Sequence, residues 1–137
     1  MKRRLLVITL FGAILFALTG CIGQAAAETV EQTFTLRTGV VDGRMAFIGV
    51  NGAIDGVVNP DLIVQRGERV RITIVNGDGV SHDLALPDLA AKTPLVSAKE
   101  QTTAVTFTAG AGSVYAYLCT VAGHRQAGME GRLVVTP

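Results

Sequence analysis

The chain has 137 residues, of which 49% are hydrophobic and 17% charged, and this length and composition suit one folded domain. The formal net charge is +1. Lys2, Arg3 and Arg4 belong to an N-terminal leader, however, and the nine basic and eleven acidic residues that follow leave the body of the chain slightly negative. A basic surface is therefore not expected, which argues against nucleic acid as a partner.

Residues 1–27 have the pattern of an export signal. The three basic residues precede an uncharged apolar run over residues 5–18. The run ends in Leu18-Thr19-Gly20-Cys21, which resembles the lipobox of bacterial lipoproteins, a motif whose cysteine is acylated. Several acyl chains on one terminus anchor a protein stably. We therefore predict a lipoprotein attached to the cell membrane, facing the periplasm or the exterior, with a short tether after the signal.

Two other fates of this leader remain open. Ala25-Ala26-Ala27 suits ordinary signal cleavage, which would release a soluble periplasmic domain. The uncharged stretch over residues 5–23 is also long enough to span a bilayer without being cut. All three outcomes place residues 28–137, which we predict to form a single domain, outside the cytoplasm.

From residue 29 onward, short stretches with the period of two that is typical of β-strands are separated by turns rich in Gly, Asn and Asp. Predicted strands cover residues 29–37, 46–50, 61–65, 69–75, 82–86, 102–108, 113–119 and 133–135. Residues 87–100 are less regular and leave room for a short helical turn. Because no long helical pattern is present, we predict an all-β fold, an antiparallel sandwich or barrel of about seven to eight strands.

The two cysteines of the chain have different expected fates. Acylation or cleavage removes Cys21 from pairing, so Cys119 stands alone in an exported domain, where free thiols oxidise or cross-link. A buried and inert cysteine is one interpretation. A metal ligand is the other, since coordination also protects a thiol.

The residues around Cys119 favour the metal ligand. His124 follows Cys119 by five residues and Met129 follows His124 by five, in a glycine-rich loop that can turn tightly. His82, the other histidine of the chain, opens a predicted strand directly after a turn. A thiolate, two imidazoles and a weak axial thioether form the ligand set of blue-copper electron-transfer sites. We therefore predict that one copper ion, cycling between Cu(II) and Cu(I), binds His82, Cys119, His124 and Met129, with no catalytic residues.

These motifs resemble the cupredoxins, the family of plastocyanin, azurin, auracyanin and rusticyanin, over nearly all of residues 29–137. The spacing Cys-x₄-His-x₄-Met before the last predicted strand carries the resemblance, together with the histidine that opens an earlier strand. Residues 47–52 and 59–62 look most like auracyanins and the cupredoxin domains near bacterial copper nitrite reductases. The resemblance implies a Greek-key β-sandwich with a mononuclear type 1 copper centre.

The resemblance also implies roles for neighbouring residues. Asp83, the polar residue after the first histidine, is expected to tie the two ligand loops together. The ring edge of His124 is expected to emerge through a small apolar patch and to act as the electron port. The patch residues implied are Val80, Ala122, Gly123 and Ala127.

The function that follows is single-electron transfer, and we do not expect an enzyme. The carrier would shuttle electrons, as a monomer and by transient contacts, between membrane or periplasmic redox proteins such as cytochromes, copper reductases or oxidases. Copper storage or delivery is an alternative, although such proteins favour exposed clusters of Met or His. An electron-donating subunit of a copper enzyme such as nitrite reductase is another, although the enzyme's further copper sites would need additional histidines. A sandwich module without metal is the third.

Overall fold

The computed structural model describes residues 32–112 and 114–137. These residues form nine strands, β1 Gln32–Val41, β2 Arg44–Val50, β3 Asp61–Gln65, β4 Arg69–Val75, β5 Ala85–Leu86, β6 Ala91–Lys92, β7 Thr102–Thr108, β8 Val114–Leu118 and β9 Glu130–Thr136. Helical structure in this part of the chain is limited to short 3-10 turns at Gly52–Ile54 and Pro87–Leu89. The all-β prediction is confirmed. Among the described residues, no helix is long and apolar enough to cross a membrane.

Alternation of apolar and polar residues explains the strands that the sequence predicted best. In β4, Val70, Ile72 and Ile74 are fully buried, whereas the residues between them face outward. The predicted boundaries of β3, β4 and β7 match the structure. The first strand continues to Val41, because Asp42 and Gly43 both have positive φ and form a two-residue turn into β2. Its predicted start at residue 29 lies outside the described residues.

The strands form two sheets, in the orders β2-β1-β4-β7 and β3-β9-β8-β5-β6. Strand β1 pairs in parallel with β4, and β3 pairs in parallel with β9, whereas the other pairs are antiparallel. The prediction of an antiparallel sandwich is therefore wrong for these two pairs. The chain leaves the first sheet after β2, adds β3 to the second sheet and returns as β4, and such a crossover permits parallel pairing.

The described strands number nine rather than seven to eight, because the region after β4 contains two strands of only two residues each, β5 and β6. Of the predicted strand at residues 82–86, only Ala85–Leu86 forms a strand, and it pairs with the two-residue β6. His82 instead forms an isolated bridge with Val96. The last strand begins earlier than predicted, at Glu130, directly after Met129.

The core lies between the two sheets and contains a pair of aromatic rings in contact. Phe47 and Tyr117 are both fully buried and meet edge to face, with ring centroids 5.5 Å apart. The Tyr117 hydroxyl donates to the Pro60 carbonyl (2.7 Å). The Tyr117 ring also lies directly over Gly131, its partner across β8 and β9, and leaves no room for a Cβ there. Cys119 and Met129 belong to the same buried cluster, at the end of the sandwich where β8 ends and β9 begins.

We predict that Gly131→Ala destabilises the fold by about 1–3 kcal/mol, since the added methyl group overlaps a ring that has no space to move. Chemical denaturation measures the change in the free energy of unfolding. Gly39→Ala is the matched control, because there the added Cβ meets only the flexible end of Ile48. Equal stabilities of the two variants would contradict the prediction.

Candidate metal centre

The loop between β8 and β9 holds three of the four predicted ligands in one closed turn. The Cys119 amide donates to the Met129 carbonyl (3.2 Å), which closes the loop at its base. The Met129 amide in turn donates to the His124 carbonyl (3.1 Å). Gly123 and Gly128 have φ of 85° and 108°, a backbone conformation that favours glycine. These two glycines therefore allow the tight turns that the sequence predicted for this loop.

His82 reaches the same place from the segment before β5, the strand next to β8 in the same sheet. Its amide and carbonyl both bond with Val96 (2.8 and 2.9 Å), which fixes the backbone two residues before Leu84 enters the core. The His82 ring is fully buried. The predicted strand opening at His82 is therefore a single bridge, which pairs the backbone of His82 with that of Val96 on both its amide and its carbonyl.

Three ligand atoms converge at this end of the sandwich. The Nδ1 atoms of His82 and His124 lie 3.2 Å apart. The Cys119 sulfur lies 3.5 Å from Nδ1 of His124 and 4.0 Å from Nδ1 of His82. Imidazole nitrogen and thiolate sulfur bind a first-row divalent ion at about 2.0–2.3 Å. These separations therefore suit one ion bound to all three atoms, and the predicted convergence of the three side chains is met.

Met129 lies beside this cluster. Its side chain is fully buried, and its backbone bonds to Cys119 and His124 place it at the base of the same loop. A thioether is a weak metal ligand that suits copper. Met129 would be available to an ion bound at the cluster, and its role as a ligand stays a prediction.

Burial shapes the chemistry of the cluster. It raises the pKa of the Cys119 thiol, because a thiolate without a counter-charge is disfavoured away from water. Burial, and then the neighbouring His82, lower the pKa of His124, which leaves its ring neutral and able to donate a lone pair. A cation bound among the three groups would reverse the effect on the thiol, since a coordinating thiol is deprotonated. The donors therefore fit a soft transition-metal ion.

Asp83 joins the two ligand segments, as the resemblance implied. Its buried carboxylate accepts the Thr120 amide (2.7 Å) and the Thr120 hydroxyl (2.6 Å). Burial raises the pKa of Asp83, but the Thr120 hydrogen bonds and the Lys92 ammonium (3.0 Å) outweigh it and hold the pKa below its ordinary value. The residue after His82 is thus tied to the residue after Cys119. No sequence pattern pointed to Lys92, which is brought to the site by the short pairing of β5 with β6.

Asp78 is a further neighbour of His82 that the sequence pattern did not predict. Its two carboxylate oxygens lie 2.9 and 3.0 Å from Nε2 of His82, the ring nitrogen that faces away from Cys119. The signal that could have revealed it is the Asn76-Gly77-Asp78-Gly79 turn immediately before His82, which carries an acidic residue four positions ahead of the ligand.

The two histidines differ in their access to solvent. His82 is fully buried, whereas His124 keeps 8% of its surface exposed. Of the expected patch around His124, Val80 is 43% exposed, and Ala122 and Gly123 are also exposed, while Ala127 is half-buried. The role of His124 as the electron port stays a prediction.

Comparison with known proteins agrees with the site. Residues 58–136 match the family described as "Copper binding proteins, plastocyanin/azurin family", and this range holds all four predicted ligands. Among curated protein sequences, none matches the chain at a significant level.

Solved structures share the fold. Auracyanin B is 25% identical, with 82% of this chain and 94% of that chain covered and a TM-score of 0.59. Auracyanin A, a "blue" copper protein from the green thermophilic photosynthetic bacterium Chloroflexus aurantiacus, is 22% identical over 76% of this chain and 98% of that chain, with a TM-score of 0.54. A Cu-containing nitrite reductase from Thermus scotoductus is 24% identical over 77% of this chain but only 28% of that chain, with a TM-score of 0.55.

The family match spans more than half of the chain, and the same residues bring a thiol and two imidazoles to one point. The chain therefore belongs to the plastocyanin/azurin family of copper-binding proteins, the cupredoxins, with copper as its cofactor.

Proposed function

We propose that the chain is a single-electron carrier with one type 1 copper centre, held by His82, Cys119, His124 and Met129. The observation that carries the proposal is the cluster of His82, Cys119 and His124, whose ligand atoms all lie within 4.8 Å of one another among buried residues. Copper bound there would supply a one-electron couple between Cu(II) and Cu(I). The role of the protein is to fix the ligands, to exclude water and to leave one route for the electron.

Fixed ligand positions support this role. Cys119 and Met129 are held by the paired ends of β8 and β9, and His82 is held by its two bonds to Val96. The Asp83–Thr120 bonds then join the two halves of the ligand set. Ligands held by rigid elements move little between oxidation states, so electron transfer meets a low barrier.

The exposure pattern supports one route for the electron. His124 keeps 8% of its surface exposed, against 0–1% for the other three proposed ligands, and the small residues Ala122 and Gly123 before it are exposed. Such a surface suits the small, short-lived contacts of redox encounters, which bury less than about 1,200 Å². The proposed partners are redox proteins such as cytochromes, copper reductases or oxidases, met outside the cytoplasm by a monomer.

Lipid anchoring is part of the same proposal. It depends on the lipobox-like residues 18–21 and on the basic and apolar run before them, all of which lie outside the described residues. Cleavage after residues 25–27 and an uncleaved span remain its alternatives. Mass spectrometry of the native protein distinguishes the three, since acylation at Cys21 adds a lipid mass to the mature chain.

One observation favours a second function, that of an electron-donating subunit of a copper enzyme. The fold matches a part of the Thermus scotoductus nitrite reductase, a chain much longer than this one. The two histidines of this chain already belong to the single cluster, so any further copper site would need a partner's residues. Copper storage has less support, because the methionines other than Met1 are Met45 and Met129, and these are half-buried and buried.

We predict that the full-length chain binds one equivalent of Cu(II) and shows an intense thiolate-to-copper band in the visible spectrum. One electron should bleach the band reversibly. Cys119→Ser should abolish it, whereas Cys21→Ser, the matched control at the other cysteine, should leave it intact. A colourless wild-type protein that holds Cu(I) tightly would support storage instead, and a protein that binds no copper would refute the proposal.

A second prediction concerns the thioether. Met129→Leu should keep the visible band but raise the midpoint potential by about 60 mV, which corresponds to a tenfold loss of preference for the oxidised ion. The reason is that sulfur donation stabilises the more highly charged ion. Met45→Leu, a half-buried methionine on β2, is the control and should leave the potential unchanged. If both variants match the wild type in a redox titration, Met129 is not a ligand.

A further inference from the structure

The buried ring of His82 has a carboxylate on the side that faces away from the copper ligands. Nε2 lies 2.9 and 3.0 Å from the two oxygens of Asp78, while Nδ1 faces Nδ1 of His124 and the sulfur of Cys119. The His82 side chain is fully buried and that of Asp78 is 18% exposed, so water screens this contact weakly.

Asp78 is held in place by its own turn. Asn76 is fully buried, and its side-chain oxygen accepts the amides of Gly79 (2.7 Å) and Asp78 (3.3 Å), while its side-chain nitrogen donates to the Val80 carbonyl (2.6 Å). The Val80 amide donates to one carboxylate oxygen of Asp78 (2.9 Å). The carboxylate is therefore directed at His82 by hydrogen bonds that do not depend on the ring.

The turn is in addition fixed against β1. The Gly77 amide donates to the Thr38 hydroxyl (3.1 Å), and a Cβ at Gly77 would overlap the Thr38 carbonyl. Only glycine permits this close approach. The position of Asp78 is thus set by the packing of the first sheet, and not by a mobile surface loop.

A carboxylate acceptor at Nε2 has two consequences for the ring. It places the ring proton on Nε2, so that the lone pair of Nδ1 is directed at the cluster. It also makes the ring a stronger donor to a metal ion, and the negative charge of the carboxylate favours the more positive oxidation state of that ion. Asp83 differs from Asp78, because the Asp83 carboxylate lies beside the Lys92 ammonium and bonds to Thr120 rather than to a ligand ring.

We propose that Asp78 is a positioning residue of the copper centre, which fixes the tautomer of His82 and lowers the midpoint potential of the bound copper. The inference rests on the proposed function, because a potential exists only where copper binds. Asp78 touches the ligand His82 and acts on the metal through that ring.

The test replaces Asp78 by asparagine in the full-length, copper-loaded protein. Asp78→Asn keeps the shape of the side chain and an oxygen that can accept from Nε2, but it removes the charge. We expect the preference for Cu(I) over Cu(II) to rise about tenfold, a shift of about 59 mV for a one-electron couple, in a redox titration with the visible band retained.

Asp88→Asn is the matched control. Asp88 is exposed, and its neighbour Leu89 lies against Gly110, at the end of β8 opposite to Cys119. The same loss of charge there should leave the potential at the wild-type value. Equal potentials for Asp78→Asn and Asp88→Asn would overturn the proposal.

A second measurement does not need copper. Nitrogen-15 NMR of the His82 ring in the copper-free wild-type protein should show the proton on Nε2, and Asp78→Ala should redistribute it between the two nitrogens. A proton found on Nδ1 in the wild type would overturn the proposal, even if Asp78→Asn does not fold. A wild type without the visible band would refute the proposed function and with it the effect on the potential, while the NMR result would still decide the tautomer.

Discussion

The arrangement of the site depends on the pairing of β8 with β9. These neighbouring strands are separated in sequence only by residues 119–129, and the Cys119 amide bonded to the Met129 carbonyl closes that stretch at its base. The loop must then turn back within eleven residues, which brings His124 over Cys119. A thiol, an imidazole and a thioether are thus carried to one end of the sandwich by ordinary strand pairing. The Tyr117 ring packed on Gly131 stabilises the same pair of strands from within the core.

The fourth side chain comes from a different part of the chain and is brought there by two separate ties. Val96 holds the backbone of His82 by two hydrogen bonds, and the Asp83 carboxylate bonds to Thr120 beside Cys119. The Asp83–Thr120 bonds join segments 37 residues apart in sequence. The site is therefore assembled by the protein's own hydrogen bonds, which fits a centre whose ligands stay in place as its charge changes.

The predictions from the sequence were most accurate for features that depend on one local pattern of residues. One-sided burial determined β3 and β4, because side chains at every second position face the core. The spacing of Cys119, His124 and Met129 revealed the chemistry, since few other sites use these residue types together. The parallel pairing of β1 with β4 could not be predicted, because periodicity does not specify the neighbour of a strand. Lys92 was missed because its contact with Asp83 exists only in the folded chain, whereas Asp78 was missed although it stands in the turn ahead of His82.

The direction of β1 determines how the whole domain would be presented. Gln32 lies opposite Val70 in the parallel pair, and β4 runs from there towards Asn76 and the turn before His82. At about 3.3 Å per residue, the start of β1 is roughly 20 Å from the end that bears the ligands. If residues 1–27 hold the protein at a lipid surface, the ligand cluster would lie at the end of the domain farther from the start of β1. Electrons would then be exchanged with partners that approach from the aqueous side. A partner embedded in the same membrane would need a domain that extends as far from the bilayer as the ligand cluster does.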